Sequence, residues 1–309
     1  MKKVLIVGGA GFIGSNLVKK LMRGGYQPFV YDNFSSGRIA NLKFLSKARI
    51  IKGDILDHKK IASCVKKIQP NIIFHLAAIH YIPDCNKNPQ RTLKVNVGGT
   101  RNILEAISTL NAKPFFIFIS SSAVYANSSS ALKENNKTRP ICVYGETKLA
   151  GEKITKQICT KNKIPFATVR LFNVYGPNDG IPHVIPRIIA QIKSQKRNIE
   201  LGNLQPKRDF IYVDDVSDAL YKILEHKPKN RVYNLGTGKE YSIKEIAELF
   251  IKFLPRKNLR VLPRKNLVRK KERLHLKADI LKIKKELGWH PKISISKGIK
   301  LLLKEKGLL

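Results

Sequence analysis

The sequence predicts an α/β protein in which a doubly wound parallel sheet is followed by a smaller C-terminal α/β lobe. Three observations predict it. Short apolar runs of β type alternate with helix-period segments from the first residues to about position 171. A glycine-rich turn directly follows the first run, and beyond Asn173 the pattern changes to helices joined by short strands. Alternation of that kind is the signature of parallel strands joined by right-handed helical crossovers.

Taken in order, the strand-like segments are 4–7, 28–31, 49–51, 72–75, 115–120 and 166–171. Between several of them apolar and small residues recur at helical spacing, as at Leu17 and Leu21 and at Val97, Ile103, Leu104 and Ile107. Helices are expected over 186–194, 216–225 and 243–253, with short strands over 210–213 and 232–235. The expected division is 1–172 for the sheet domain and 173–309 for the lobe, with some later strands returning to the first domain. Gly288-Trp289 reads as a helix stop.

Composition narrows the classes. At 309 residues and 43% hydrophobic, the chain can bury a sizeable core and is not a disordered protein. Its apolar runs are strand-length, too short for a transmembrane helix. Lys2 and Lys3 precede an apolar stretch, but Gly8, Gly9, Gly11 and Gly14 break it, so a buried first strand is expected rather than a signal peptide. Cys64, Cys85, Cys142 and Cys159 form no CxxC pair and have no zinc-like histidine spacing. Reduced thiols and a cytoplasmic location follow as expectations, and no metal is expected. Lys+Arg total 59 against 22 Asp+Glu, a net charge of +37 that favours diphosphate or polyanion ligands. The lysines are scattered through every helix, which reads as a solvated surface rather than a nucleic-acid site.

The turn Gly8-Gly9-Ala10-Gly11-Phe12-Ile13-Gly14 joins the first strand to the first helix. Such a turn lets backbone N–H groups approach a pyrophosphate with the positive helix end behind it. Asp32 ends the second strand, 18 residues past Gly14, where a carboxylate can accept hydrogen bonds from an adenosine ribose. That carboxylate repels a 2′-phosphate, so NAD is expected over NADP; Arg38 is the nearby residue able to accommodate such a phosphate. Asn33 is grouped with the same site.

Tyr144 and Lys148, in Tyr144-Gly145-Glu146-Thr147-Lys148, stand at i and i+4 on one helix face. An alcohol gives up hydride only if its proton also leaves, and a phenol near pKa 10 is a poor base at neutral pH. A lysine cation beside it, with a positive nicotinamide ring, is expected to lower that pKa. In isolation this spacing is common on solvated helices.

In combination these segments resemble the short-chain dehydrogenase/reductase superfamily, in its extended, NAD-dependent nucleotide-sugar epimerase/dehydratase branch, which implies a Rossmann domain. Further matches follow in order across nearly the whole chain. Gly53-Asp54-Ile55 looks like the turn whose Asp contacts adenine. Leu76, Ala77 and Ala78, after His75, look like the segment lining the cofactor. Asn96 matches the family's buried asparagine. Arg170 to Pro177 and Arg208 to Val216 are long matches. The resemblance implies Tyr144 as acid and base, Lys148 tuning it and holding the ribose, and Ser121, chosen among Ser120, Ser121 and Ser122, bonding the reacting oxygen.

The same resemblance implies Asn173, Arg208 and Arg269 as ligands of the diphosphate and nucleotide, although Lys270-Lys271-Glu272 stands where the family's Pro-Gly-Asp is usual. Relatives that dehydrate sugars resemble Thr-Asp-Glu where this chain has Ser121-Ser122-Ala123, and related decarboxylases keep a Glu. The implied activity is therefore a nucleotide-sugar 4-epimerase passing through a 4-keto sugar, with a UDP-sugar favoured. A dehydratase or decarboxylase is the alternative, and a basic nucleic-acid-binding protein on this fold a remoter one. Leu276, two residues before Ala278-Asp279, is intermediate in size, leaving glucose/galactose and N-acetylated sugars both open. His80 is equally a sugar contact or a loop histidine. Relatives dimerise through a four-helix bundle, which implies a homodimer through segments 92–110 and 144–160.

Overall fold

The computed structural model describes residues 1–195, 197–255, 258–268 and 272–309. The chain opens with β1 (Lys3–Val7), α1 (Phe12–Arg23), β2 (Gln27–Asp32), β3 (Ile50–Lys52), α2 (His58–Ile68) and β4 (Ile72–His75). It continues through α3 (Ile82–Lys87), α4 (Pro89–Leu93), α5 (Gly99–Ser108), β5 (Phe115–Ser121), α6 (Val143–Lys161) and β6 (Phe166–Leu171). Next come β7 (Asn173–Tyr175), α7 (Val184–Lys193), β8 (Asn198–Leu201), β9 (Lys207–Arg208), β10 (Phe210–Tyr212) and α8 (Val213–His226). The last elements are β11 (Arg231–Leu235), β12 (Tyr241–Ser242), α9 (Ile243–Phe253), β13 (Arg260–Pro263), α10 (Leu281–Leu287) and α11 (Ile295–Glu305).

The fold is the doubly wound α/β architecture: a seven-stranded sheet in the order β3-β2-β1-β4-β5-β6-β11, with every pair parallel. Strand parity sorts the core. In β1, Val4 and Ile6 join Val30, Phe74, Ile117 and Val169 on one face, under α1, α8 and α10. Leu5 and Val7 turn the other way, to Ile73, Phe116 and Phe118 under α2, α5 and α6. Val4 to Val7 are fully buried, and each such side chain contributes about 1.5–3 kcal/mol. The sheet is sandwiched on both faces, which is why its strands read as near-continuous apolar runs.

The chain beyond Phe172 divides between two cores. Strand β11, helix α8 and Trp289 belong to the sheet layer. A separate core gathers Ile185, Ile188, Phe210, Ile246, Phe250, Ile299 and Leu302 from α7, β10, α9 and α11. This lobe also carries three two-stranded pairings: β7 with β10, β9 with β12, and β8 with β13. Ser242 and Glu245 close a capping box at the start of α9, which fixes its first residue where the apolar pattern places it.

Two elements differ from expectation. The strand expected over 210–213 stops at Tyr212, and α8 begins at Val213, with Asp214 and Asp215 in its first turn, where carboxylates suit the positive helix end. The helix expected across 92–110 is interrupted by a π-helical turn at Lys94–Gly98. That turn carries Asn96 inward. Its Oδ1 accepts from the Ile79 N–H (2.8 Å), and its Nδ2 donates to the Ile79 carbonyl and the Thr147 hydroxyl (2.9 Å each).

Candidate active site

Strand order reverses between β1 and β4, and ligands of doubly wound sheets bind outside the carboxyl ends of the strands at such a switch. A cleft of about 1520 Å³ opens there, between the sheet and the C-terminal lobe. Pockets for drug-sized ligands run to about 1,000 Å³, so this one has room for two extended ligands placed end to end.

One wall is shaped at the level of the backbone. Gly8 has φ +86°, and a Cβ there would lie 2.5 Å from the Ala77 nitrogen. A Cβ on Gly14 would meet the Gly8 carbonyl oxygen at 2.4 Å. The loop and helix thus nest closely because neither residue has a side chain. Gly11 caps α1 without a side-chain hydrogen bond, and the Ser15 N–H donates to the Gly11 carbonyl. The N–H groups of Phe12, Ile13 and Gly14 precede that first helical bond and face the cleft end of the helix, an arrangement that suits a pyrophosphate. Asp32 is buried, with its two oxygens accepting from the Ala10 and Phe34 N–H groups (2.9 and 2.8 Å). Burial pushes its carboxyl up while those two bonds pull it down. Leu76, Ala77, Ala78 and Ile55 line the same wall, as do Asn33 and Arg38.

Asp54 and Asn96 stand behind this wall. The Asp54 carboxylate accepts from the Leu56 N–H (2.8 Å) and from Asn33 Nδ2 (2.9 Å), so Asn33 is the residue of that pair that reaches the cleft. Asn96 ties the loop after β4 to α6 through Ile79 and Thr147.

At the middle of the cleft β5 and α6 bring Ser121, Tyr144 and Lys148 together. The Ser121 side chain lies close enough to that of Tyr144 to lower its pKa, and the Ser121 Oγ accepts from the Ala123 N–H (3.1 Å). Its neighbour Ser120 instead donates to Glu152 (2.5 Å), a carboxylate that grips Arg170 through two bonds of 2.9 and 2.7 Å. Lys148 is buried, its Nζ 2.8 Å from the Ile119 carbonyl oxygen and 5.9 Å from the centre of the Tyr144 ring.

Burial brings Lys148 down to about 8, opposed by Glu152 and Cys85. Burial also pushes Tyr144 above the ordinary phenol value, and Ser121 offsets only part of that. The expected lowering invokes the lysine cation together with a nicotinamide ring, and burial of the phenol is what those two charges have to offset. Desolvation is the largest influence on the phenol, and the Lys148 cation lies 5.9 Å from the centre of its ring.

The far wall is made of side chains. Asn173 begins β7, its N–H bonded to the Asp209 carbonyl (3.0 Å), and lines the cleft. Arg208 pairs with Glu272 at 3.3 Å, with side-chain exposures of only 12% and 19%. Asp209 is committed elsewhere, accepting from Thr237 N–H and Oγ1, Gly238 N–H and Ala278 N–H. Leu276 is buried at the cleft edge beside Val124, Tyr125 and Phe172. His80 lines the cleft with its ring centre 5.8 Å from that of His183, at the start of α7, and burial lowers its pKa. Arg269 lies outside the described residues.

Arg273 and Asp179 are among the cleft residues that sequence reasoning missed. Arg273 is 7% exposed and donates to the carbonyls of Ala123 (3.1 Å) and Tyr125 (2.5 Å) and to Asn127 Oδ1 (3.2 Å). Asp179, in the loop after β7, is pushed up to about 7 by burial and accepts one long bond from the Ile181 N–H (3.3 Å). Neither sits in a motif; their neighbours in space are far away in the sequence or are bare backbone.

A family model described as GDP-mannose 4,6 dehydratase matches residues 5–302. The chain belongs to this family, a branch of the extended short-chain dehydrogenase/reductases. Its relatives in the family divide by reaction. A UDP-glucose 4-epimerase of Lactobacillus helveticus is 31% identical over 319 residues, covering 94% of this chain and 92% of that protein. A UDP-N-acetyl-alpha-D-glucosaminuronate decarboxylase of Bacillus cytotoxicus is also 31% identical, covering 97% and 96%. In three dimensions the chain is similar to the UDP-glucose 4-epimerase of Brucella ovis, solved in complex with NAD. The TM-score is 0.90 at 29% identity, covering 100% of this chain and 99% of that one. The protein is thus an enzyme of the nucleotide-sugar epimerase, dehydratase and decarboxylase family, whose cofactor is NAD.

Proposed function

We propose that this family member is a nucleotide-sugar 4-epimerase, acting on a UDP-linked hexose through a transient 4-keto sugar. The observation that carries the reading is the cluster of Ser121, Tyr144 and Lys148 on a turn that continues as Ser122-Ala123, with no carboxylate. Oxidation at C4 and return of the hydride need a base and a hydrogen-bond donor. Elimination of water needs further acid and base groups, which the turn lacks.

Tyr144 takes the C4 hydroxyl proton and later returns it, while Ser121 holds the C4 oxygen at the phenol. NAD, when bound, would supply the hydride acceptor, and Lys148 is the protein cation beside the Tyr144 ring. The backbone N–H groups of 12–14 hold the pyrophosphate, and Asp32 takes the adenosine ribose. Asn173 and Arg208 grip the substrate's nucleotide end, so the sugar can turn and receive the hydride on its opposite face. The UDP assignment is supported by the names of the Lactobacillus and Brucella relatives. Homodimerisation through α5 and α6 belongs to the same reading; Gly98, at the end of the π-helical turn that precedes α5, has open space beyond its Cα.

The test is a panel of UDP-, dTDP- and GDP-sugars, neutral, N-acetylated and acidic, followed by NMR for inversion at C4. Inversion of one member with no net absorbance change at 340 nm is expected; a 4-keto-6-deoxy product that absorbs in alkali would replace the reading with dehydration. The observation that favours dehydration is Asp179, a cleft carboxyl held near neutral pKa.

A further inference from the structure

Arg273 has no carboxylate among the described residues within ion-pairing distance. Glu272, its neighbour in the chain, is engaged by Arg208. Arg273 is nevertheless a buried residue, only 7% exposed, and lines the cleft. A charge taken out of water without a counter-ion is costly. Backbone carbonyls satisfy its N–H groups in part and leave the positive charge uncompensated.

The placement of this cation is specific. Nη2 bonds the carbonyls of Ala123 and Tyr125, and Nε bonds Asn127. Nη1 has only a 3.5 Å contact to the Ser122 carbonyl, at the limit of a hydrogen bond, so it is the least committed donor. Ser122 and Ala123 follow Ser121 directly. A sugar whose C4 oxygen rests on Ser121 and Tyr144 therefore presents a substituent of an adjoining carbon towards Arg273. In a hexuronate the carboxylate at C6 hangs from C5, next to C4.

We propose that the sugar is a hexuronate, and that Arg273 recognises its C6 carboxylate. The proposal rests on the epimerase reading for the position of C4. The carboxylate supplies the missing counter-ion, accepting from Nη1 while Nη2 and Nε go on holding the turn. Arginine suits a carboxylate through directed, charge-assisted hydrogen bonds. A neutral hexose offers the same volume and no charge, and leaves the buried cation unpaired.

The experiment compares UDP-glucuronate with UDP-glucose in the wild-type protein and in the Arg273→Lys and Arg273→Gln variants. Losing one partner of a buried charge pair costs several kcal/mol, so the wild type is expected to favour the uronate in kcat/KM by at least about 30-fold. Lysine should keep most of that preference. Glutamine, which still donates to backbone carbonyls, should bring the ratio within about threefold of one, mainly through KM. A wild-type ratio near one overturns the proposal, as does an equal loss on both sugars in Arg273→Gln.

Calorimetric binding of the two nucleotides to the wild type reads the same preference without turnover. If neither sugar is inverted but the uronate binds more tightly, the epimerase reading fails and the carboxylate assignment stands. Release of CO2 with a UDP-4-keto-pentose has that same meaning: the C5–C6 bond of the 4-keto-uronate breaks, its electrons pass into the 4-keto group as an enolate, and C5 then takes up a proton in place of the lost carboxylate. Equal binding of the two nucleotides removes the proposal whatever the reaction.

Discussion

The two walls of the cleft are built by different physics. On the sheet side, shape is set by the backbone: Gly8 and Gly14 let β1, α1 and the segment after β4 approach within distances that any Cβ would forbid. On the lobe side, shape is set by side chains reaching across the sequence, Arg208 to Glu272 and Arg273 to the turn at 122–125. The first design is rigid and serves a ligand common to the family. The second can be re-tuned one residue at a time, which suits a substrate that differs between members.

Four perturbations sharpen or break this contrast. Tyr144→Phe removes the proton acceptor where the walls meet, and turnover should fall by about 10³-fold, in the range for loss of a general base. NAD titration should show unchanged affinity; a matching loss of NAD binding would mean that residue 144 serves the cofactor wall instead.

Gly8→Ala strikes the backbone wall. The left-handed φ and the contact with Ala77 together should cost about 3 kcal/mol. A fall in melting temperature together with weakened NAD binding is expected, and an unaffected protein would show that the wall yields. Arg208→Ala strikes the side-chain wall and strands the partly buried Glu272. It should raise KM for the nucleotide-sugar by roughly 30-fold, about 2 kcal/mol, with NAD affinity unchanged. A comparable loss of NAD affinity would show that the walls are not independent.

The smallest effect concerns pH. Lys148 titrates near 8 because burial disfavours its charged form. Its cation is full well below that value and is lost as pH rises through it, so kcat/KM should decline above pH 8. Lys148→Arg, whose side chain does not lose its proton in this range, should lower the rate and abolish that alkaline limb. A limb that persists at the same pH in the variant would assign it to another group.

This contrast also explains what could be read from the residues alone. The glycine turn, Asp32 at the end of β2 and the Tyr144–Lys148 spacing are local patterns, forced by dihedral angles and helix periodicity, and all of them line the cleft. Ser121 was separable from Ser120 and Ser122 only by resemblance, and the distinction has a cause in Glu152, 32 residues from Ser120. Arg273, the Glu272 partner of Arg208 and the buried Asp209 junction have no local pattern. Their meaning comes from groups up to 151 positions away. The π-helical turn at Asn96 was equally hidden, since its apolar spacing matches that of an ordinary helix.

Strand β11 closes the sheet on β6 with residues 231–235. During synthesis β6 has therefore been made for some sixty residues before its partner exists, and its outer row of N–H and C=O groups is unpaired in that interval. A nascent or truncated chain ending before Arg231 presents this ribbon to other copies. Aggregation during expression, and dependence on chaperones that shield exposed strand margins, follow from the order in which the polypeptide leaves the ribosome.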